Sequence, residues 1–258
     1  QLVLATGAQP IRVPVQGNAS DQVQSINALD DFKVFHSALH PYAASADSSR
    51  NERKTIVIMG AGLIGCEFAN DLVHAGHTVH VADPSARPLA ALLPAAAGEQ
   101  LAQALGALGV QWHFGATVQA VDTADTRLTV TLSDGSVVVA DAVLSAIGLR
   151  ADTRLAAAAG IACERGIVVD ARLQSSAPGV YALGDCAQYA SAGQRTLPYV
   201  MPIMHAAKAL AGTPTEVVFP LMPVSIKTPA LPIVVAAAHP AQQGEWVADA
   251  QEDGVWRF

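Results

Sequence analysis

The sequence has little cysteine, and its three cysteines (Cys66, Cys163 and Cys186) lie far apart. No two of them have the CxxC spacing, which argues against a local dithiol redox motif and against a four-cysteine zinc site. The cysteine framework of a small secreted protein is also missing. We therefore expect a protein of a reducing compartment, the cytoplasm.

Long apolar runs and an excess of positive charge are missing too. No run approaches the roughly 18 apolar residues that a membrane-spanning helix needs. The formal net charge is −7, and the sequence has no cluster of basic residues that would form a positively charged stripe. Neither a membrane nor a nucleic acid is therefore an expected partner.

The chain begins without an initiator methionine or a signal peptide. Residues 2–5 read as a strand directly after Gln1, and residues 255–258 resemble a strand that is cut short. We expect a fragment that lacks sequence at both ends.

The most informative feature present is the run GAGLIG at residues 60–65. It lies between a predicted apolar strand and a predicted amphipathic helix, and Asp83 ends the next predicted strand. Glycines at these positions allow a tight turn and a close approach to a pyrophosphate, which the N–H groups of the helix N-terminus bind. The spacing predicts a dinucleotide site. The alternative is a glycine-rich turn without a ligand.

The apolar pattern on both sides of this loop predicts an α/β fold with a parallel sheet. Predicted helices cover residues 63–74, 94–108 and 197–211, and predicted strands of the sheet cover residues 55–59, 78–82, 110–114 and 142–147. An antiparallel meander is predicted over residues 117–121, 128–132 and 137–140, because the last two segments are joined by a good hairpin turn at residues 133–135.

Asp83 predicts a preference between the two nicotinamide cofactors. A carboxylate at this strand end accepts hydrogen bonds from the ribose hydroxyls of NADH and repels the 2′-phosphate of NADPH. Arg87 acts against this preference, since a guanidinium nearby can neutralise that phosphate. The alternative for Asp83 is a solvated acid at a strand end.

Three segments resemble motifs of the flavoprotein reductases that bind FAD and NAD(P)H in two Rossmann-like domains. LVLATGAQP at residues 2–10 resembles the strand where the chain leaves the FAD domain. Residues 60–67 resemble the NAD fingerprint with its following glutamate. VYALGD at residues 180–185 resembles the second FAD motif, whose aspartate binds the ribityl chain.

This resemblance implies an α/β fold with a Rossmann-like NAD domain inserted in a partial FAD domain, followed by the start of a small α+β domain. The implied bounds are residues 1–27 and 149–220 for the FAD domain, 28–148 for the NAD domain and 221–258 for the C-terminal domain.

Within the family, the chain is most similar to the bacterial rubredoxin reductases, at residues 60–72 and at MPVSIKTP, residues 222–229. The resemblance implies an enzyme that passes electrons from NADH through FAD to rubredoxin. Two alternatives stay open: another acceptor such as a ferredoxin, and a non-catalytic protein that senses dinucleotides. The family's first GxGxxG motif is not in this sequence, so we expect the fragment alone to bind FAD poorly and to be inactive.

The resemblance also implies the site residues. Glu67 is the implied catalytic residue, near the nicotinamide and the flavin. The implied cofactor-binding residues are Thr6, Gly7, Gly60, Gly62, Leu63, Ile64, Gly65, Glu67, Asp83, Gly148, Gly184, Asp185 and Lys227. No metal is expected, because Gly76 breaks the helix between His74 and His77.

Several of these residues have simpler alternatives. Asp185 could cap a helix, and Glu67 could complement the dipole of its helix. Gly148 could serve an ordinary turn, and Lys227 could be a solvated surface lysine. Cys66 and Cys186 lie beside the motifs, and we interpret them as small buried apolar groups.

Overall fold

The computed structural model describes residues 1–39, 52–212, 215–236 and 242–258. Within these ranges, no helix combines the length and the hydrophobicity needed to cross a membrane.

Eighteen strands and five α-helices make up the described chain. The strands are β1 (Leu2–Leu4), β2 (Ala8–Pro10), β3 (Val23–Ser25), β4 (Thr55–Met59), β5 (Thr78–Asp83), β6 (Gln111–Phe114), β7 (Val118–Ala124), β8 (Arg127–Leu132), β9 (Val137–Ala140), β10 (Ala142–Ser145), β11 (Leu149–Ala151), β12 (Ile167–Val169), β13 (Val180–Ala182), β14 (Ala187–Tyr189), β15 (Val224–Ile226), β16 (Ile233–Val235), β17 (Val247–Ala248) and β18 (Trp256–Arg257). The helices are α1 (Leu29–Leu39), α2 (Leu63–His74), α3 (Ala95–Leu108), α4 (Arg154–Ala158) and α5 (Val200–Leu210).

The chain divides into two compact units, each built from separate stretches of sequence. The first unit contains Gln1–Ile11 and Gly148–Met222, and the second contains Arg12–Ile147 and Pro223–Phe258. The four domain bounds expected from the sequence stay a prediction.

The second unit is built around a parallel five-stranded sheet in the order β3-β10-β4-β5-β6. Successive side chains of a strand point to opposite faces of the sheet, so β4 contributes residues to two apolar cores, one on each face. Ile56 and Ile58 pack in the core that α1, α2 and α3 cover. Val57 and Met59 pack in the core that the antiparallel β7-β8-β9 meander covers. The α/β fold with a parallel sheet is therefore confirmed.

Two helices of this unit, α2 and α3, are followed by a glycine in a left-handed turn. Gly109 follows α3 with φ of 109° and closes its last turn with backbone hydrogen bonds. Helix α2 spans the predicted residues, and the predicted meander is present with shifted bounds.

The first unit contains three strand pairs: β1 with β13, β12 with β14, and β2 with β11. The β1–β13 pair is parallel, with Leu4 opposite Ala182, and therefore joins segments far apart in the sequence. One apolar core, which includes Leu4, Ile167 and Tyr189, packs between the β1–β13 and β12–β14 pairs and the helices α4 and α5.

The predicted helix over residues 197–211 is shorter in the structure. Helix α5 begins at Val200, after Tyr199, which is extended with φ of −137° and ψ of 152°. Pro198 disfavours helical backbone at Leu197, so the first predicted turn does not form.

Candidate functional site

The glycine loop of residues 60–65 follows β4 at the carboxyl end of the parallel sheet. Gly60 has φ of 99°, and a Cβ atom there would lie 2.8 Å from the Ala146 carbonyl oxygen. A Cβ atom on Gly65 would lie 2.0 Å from the Gly60 carbonyl oxygen, so only glycine lets the helix approach this closely. A Cβ atom on Gly62 would meet nothing within 4 Å, so the loop is open at this position.

The N-terminus of α2 presents its peptide N–H groups beside this opening. Gly62 is the N-cap residue, no side chain caps the helix, and its first turn has no acidic residue. Leu63 and Ile64 therefore begin the helix with amides that are available to an anion. The helix dipole adds to the attraction for a negative group.

Asp83 ends β5, next to the glycine loop. Its Oδ2 atom accepts a hydrogen bond from the Ala61 N–H group at 2.7 Å, and its Oδ1 atom accepts one from the Ser85 N–H group at 2.7 Å. Both bonds fix the carboxylate against the loop. Each oxygen has a second lone pair for a ligand hydroxyl. The sequence predicted a ligand contact here but not these two backbone contacts.

Arg87 lies four positions after Asp83, on the segment that leads to α3. Its Cδ atom lies 3.0 Å from the position that a Cβ atom on Gly98 would take. The Nε atom of Arg87 is buried and has no hydrogen-bond partner among the described residues.

Glu67 and Lys227 meet within the second unit. Oε1 of Glu67 accepts a hydrogen bond from the backbone N–H group of Lys227 at 2.9 Å. One turn further along α2, the buried side chain of Asn70 accepts a bond through Oδ1 from the Ala230 N–H group at 3.2 Å. Helix α2 therefore holds the segment around residues 227–230. A buried asparagine on an otherwise apolar helix face was the signal that the sequence analysis missed.

In the first unit, two predicted motifs lie at one edge of a strand pair. Strands β1 and β13 are parallel and end at Leu4 and Ala182, so the residues that follow them emerge at the same edge. The hydroxyl of Thr6 donates to the Asp152 carbonyl oxygen at 2.6 Å. The Asp152 N–H group in turn donates to the Gly7 carbonyl oxygen at 2.9 Å.

Asp185 follows Gly184, whose φ is 83°. Burial raises the pKa of the Asp185 carboxyl. Within the described residues, this carboxylate accepts no hydrogen bond and caps no helix. A partly buried carboxylate without a partner is costly, and hydroxyl groups of a ligand would offset that cost. The environment of Asp185 therefore fits a polyol ligand.

Gly148 starts the second stretch of the first unit with φ of 104°. Its carbonyl oxygen accepts a hydrogen bond from the Ile11 N–H group at 3.0 Å. A left-handed turn at this point explains the glycine by itself.

The family described as "Pyridine nucleotide-disulphide oxidoreductase" matches residues 1–211 of this sequence. The chain belongs to this family.

The "Rubredoxin binding C-terminal domain" family matches residues 216–256. Among the curated relatives of this oxidoreductase family, the rubredoxin-NAD(+) reductase of Alcanivorax borkumensis is 45% identical over 99% of the chain and 64% of its own length. That of Acinetobacter baylyi is 41% identical over 99% of the chain and 63% of its own length. The nitric oxide reductase FlRd-NAD(+) reductase of Aeromonas salmonicida is 40% identical over 95% of the chain and 61% of its own length. The chain therefore spans less than two thirds of each of these relatives.

Two solved structures are similar as well. A ferredoxin reductase from Rhodopseudomonas palustris has a TM-score of 0.73 and 29% identity, over 84% of this chain and 53% of that one. A structure of the covalent complex between putidaredoxin reductase and putidaredoxin has a TM-score of 0.76 and 25% identity, over 88% of this chain and 55% of that one.

This member of the pyridine nucleotide-disulphide oxidoreductase family has its three cysteines as free thiols. Cys66 is buried and donates to the Ala61 carbonyl oxygen at 3.4 Å. Burial, followed by the charges of Asp83 and Glu67, raises the pKa of its thiol to about 12. Cys66 therefore stays protonated near neutral pH and is a poor nucleophile. Among the described residues, no group of three or more His, Cys, Asp or Glu side chains is arranged to hold a metal ion.

Proposed function

We propose that this chain carries the nucleotide-binding core of a flavoprotein reductase that takes electrons from NADH and passes them through FAD to rubredoxin. The main support is that, in each unit, one set of the residues predicted to bind a nucleotide lies at the carboxyl end of the unit's own parallel strands. The match of residues 216–256 to a rubredoxin-binding domain and the similarity to rubredoxin-NAD(+) reductases support the acceptor.

The second unit fits NADH. Gly60, Gly62 and Gly65 would let the backbone approach the pyrophosphate, and the amides of Leu63 and Ile64 would bind it. The carboxylate of Asp83, fixed by two backbone N–H groups, would accept bonds from the adenosine ribose. A negative charge at this position supports NADH over NADPH, and Arg87 is the residue that opposes this preference.

The first unit fits part of an FAD site. Thr6 and Gly7 would line one side of the flavin nucleotide, and Gly184 and Asp185 the other, with the unpartnered carboxylate on the ribityl hydroxyls. Bound FAD supplies the conversion between the two electrons of NADH and a one-electron acceptor. Free cysteines without CxxC spacing support a route from flavin to acceptor that uses no protein disulphide.

We propose Glu67 as the catalytic residue on the basis of the family resemblance, together with Gly148 and Lys227 as cofactor-binding residues. The hydrogen bond that Glu67 accepts from the Lys227 backbone N–H group supports a joint role for these two residues. Free cysteines also support the cytoplasm as the location.

Spectroscopy of the flavin-loaded full-length protein tests the proposal. Anaerobic NADH is expected to bleach the visible absorption of bound flavin, and the absence of bleaching would favour a dinucleotide-sensing protein. A ferredoxin is the second candidate acceptor, because the similar solved structures include a ferredoxin reductase. Rubredoxin and ferredoxin reduction are then compared at equal concentrations, and a faster rate with ferredoxin would contradict the rubredoxin proposal.

A further inference from the structure

Tyr189 lies at the end of β14 and is completely buried in the core of the first unit. Its ring packs edge-on against Phe219, with ring centroids 4.9 Å apart and an interplanar angle of 70°. Burial is the main factor that raises the pKa of its hydroxyl, to about 12. The hydroxyl is therefore a neutral group that needs hydrogen-bond partners inside the core.

Both partners of this hydroxyl belong to one residue. The Gly184 N–H group donates to the Tyr189 oxygen at 2.7 Å, and the hydroxyl donates to the Gly184 carbonyl oxygen at 3.2 Å. Gly184 has φ of 83°, a left-handed conformation that glycine adopts readily and that forms the turn before Asp185. One side chain thus fixes the two peptide groups on either side of Gly184.

The residue after Gly184 is Asp185, whose carboxylate has no partner among the described residues. The direction of this side chain depends on the peptide between the two residues, and that peptide contains the carbonyl group that Tyr189 holds. The Ala187 N–H group donates to the same carbonyl oxygen at 3.1 Å, which closes the turn over Asp185.

We infer that Tyr189 is a positioning residue for flavin binding, because its hydroxyl holds the Gly184 turn so that the Asp185 carboxylate points at the ligand's polyol. This inference rests on the proposed function, since it assumes that Asp185 binds FAD. Tyr189 itself does not touch the ligand in this scheme. The effect is one of preorganisation: without the hydroxyl, the binding of flavin must also order the turn.

The test measures the FAD affinity of the full-length protein and of its single-substitution variants by flavin fluorescence. Tyr189→Phe is expected to weaken FAD binding about 10-fold or more, because it leaves the Gly184 N–H group without its partner. Tyr181→Phe is the matched control. Tyr181 is a nearly buried tyrosine of the same unit whose hydroxyl makes no hydrogen bond within the described residues. This control is expected to change FAD affinity less than about twofold.

A double-mutant cycle separates positioning from a general loss of structure. Asp185→Asn is expected to weaken FAD binding, and Tyr189→Phe added to it is expected to weaken it by no more than about a further twofold, because the two residues act as one unit. NADH affinity, which reports on the second unit, and the far-UV circular dichroism are measured for each variant. A 3-fluorotyrosine at position 189 keeps the hydroxyl and is expected to retain FAD affinity.

The outcomes are distinguishable. If Asp185→Asn weakens FAD binding and Tyr189→Phe does not, the positioning role is wrong and the proposed flavin site stands. Additive losses in the double variant would also contradict positioning, because they would indicate independent effects. If Asp185→Asn itself leaves FAD affinity unchanged, the proposed flavin site and the inference both fail.

Discussion

At the scale of single residues, two of the proposed nucleotide-binding residues, Asp83 and Glu67, are held by backbone N–H groups rather than by other side chains. Asp83 accepts bonds from the Ala61 and Ser85 N–H groups, and Glu67 accepts one from Lys227. Charged acceptors that bind backbone donors form strong, well-oriented hydrogen bonds. Local sequence identifies such acidic residues, whereas their backbone partners depend on how the loops fold.

The contribution of Asp83 is testable by substitution. Asp83→Ala is expected to weaken NADH binding about 10- to 100-fold, because hydrogen bonds to a charged group contribute about 1.5–3 kcal/mol. FAD affinity is expected to stay unchanged, since Asp83 belongs to the second unit. Titration with each cofactor measures both values. An equal loss for NADH and FAD would contradict the proposed placement.

At the scale of elements, the turn between β4 and α2 combines two different uses of glycine. Gly65 is required by packing, since a Cβ atom at this position would overlap the Gly60 carbonyl oxygen. Gly62 meets no neighbour and has φ of −77°, which other residues adopt easily. The fold therefore requires glycine at position 65, whereas packing leaves position 62 free, which agrees with the proposed close approach of a pyrophosphate there.

Two alanine substitutions separate these uses. Gly65→Ala is expected to lower the free energy of unfolding by about 1–3 kcal/mol, because the added methyl group overlaps a backbone oxygen. Gly62→Ala is expected to leave the unfolding free energy within about 0.5 kcal/mol and to weaken NADH binding. Urea unfolding and NADH titration of both variants provide the measurement. Normal NADH affinity in Gly62→Ala would argue against a pyrophosphate at this loop.

At the scale of the whole molecule, the two units are each assembled from chain segments that are distant in sequence. The second unit also contains a histidine pair on neighbouring strands. Nδ1 of His80 lies 3.0 Å from Nε2 of His113, and the rings stack with centroids 5.3 Å apart. Burial and the neighbouring His113 lower the pKa of His80 from its ordinary value of 6.5.

This pair predicts how stability depends on pH. Because the folded state has the lower pKa, the unfolded chain takes up the proton first as the pH falls below about 6.5. Stability is therefore expected to be greatest above that pH and to fall as the pH passes from 6.5 towards the lowered pKa of His80. Urea midpoints between about pH 7.5 and 5 provide the measurement. His80→Gln is expected to lose less stability over this range, and an identical profile would contradict the assignment.

The sequence by itself determined the alternation of strands and helices around residues 55–114, because their apolar periodicity and glycine stops are local signals. It also located the glycine loop and Asp83. Only the tertiary structure decided the short strands β2 and β11, because segments of three residues form through pairing rather than through pattern. It likewise decided the contact of Asn70 with Ala230, which are far apart in the sequence, and that of Tyr189 with Gly184. Hydrogen bonds between a side chain and the backbone leave no periodic pattern in the sequence.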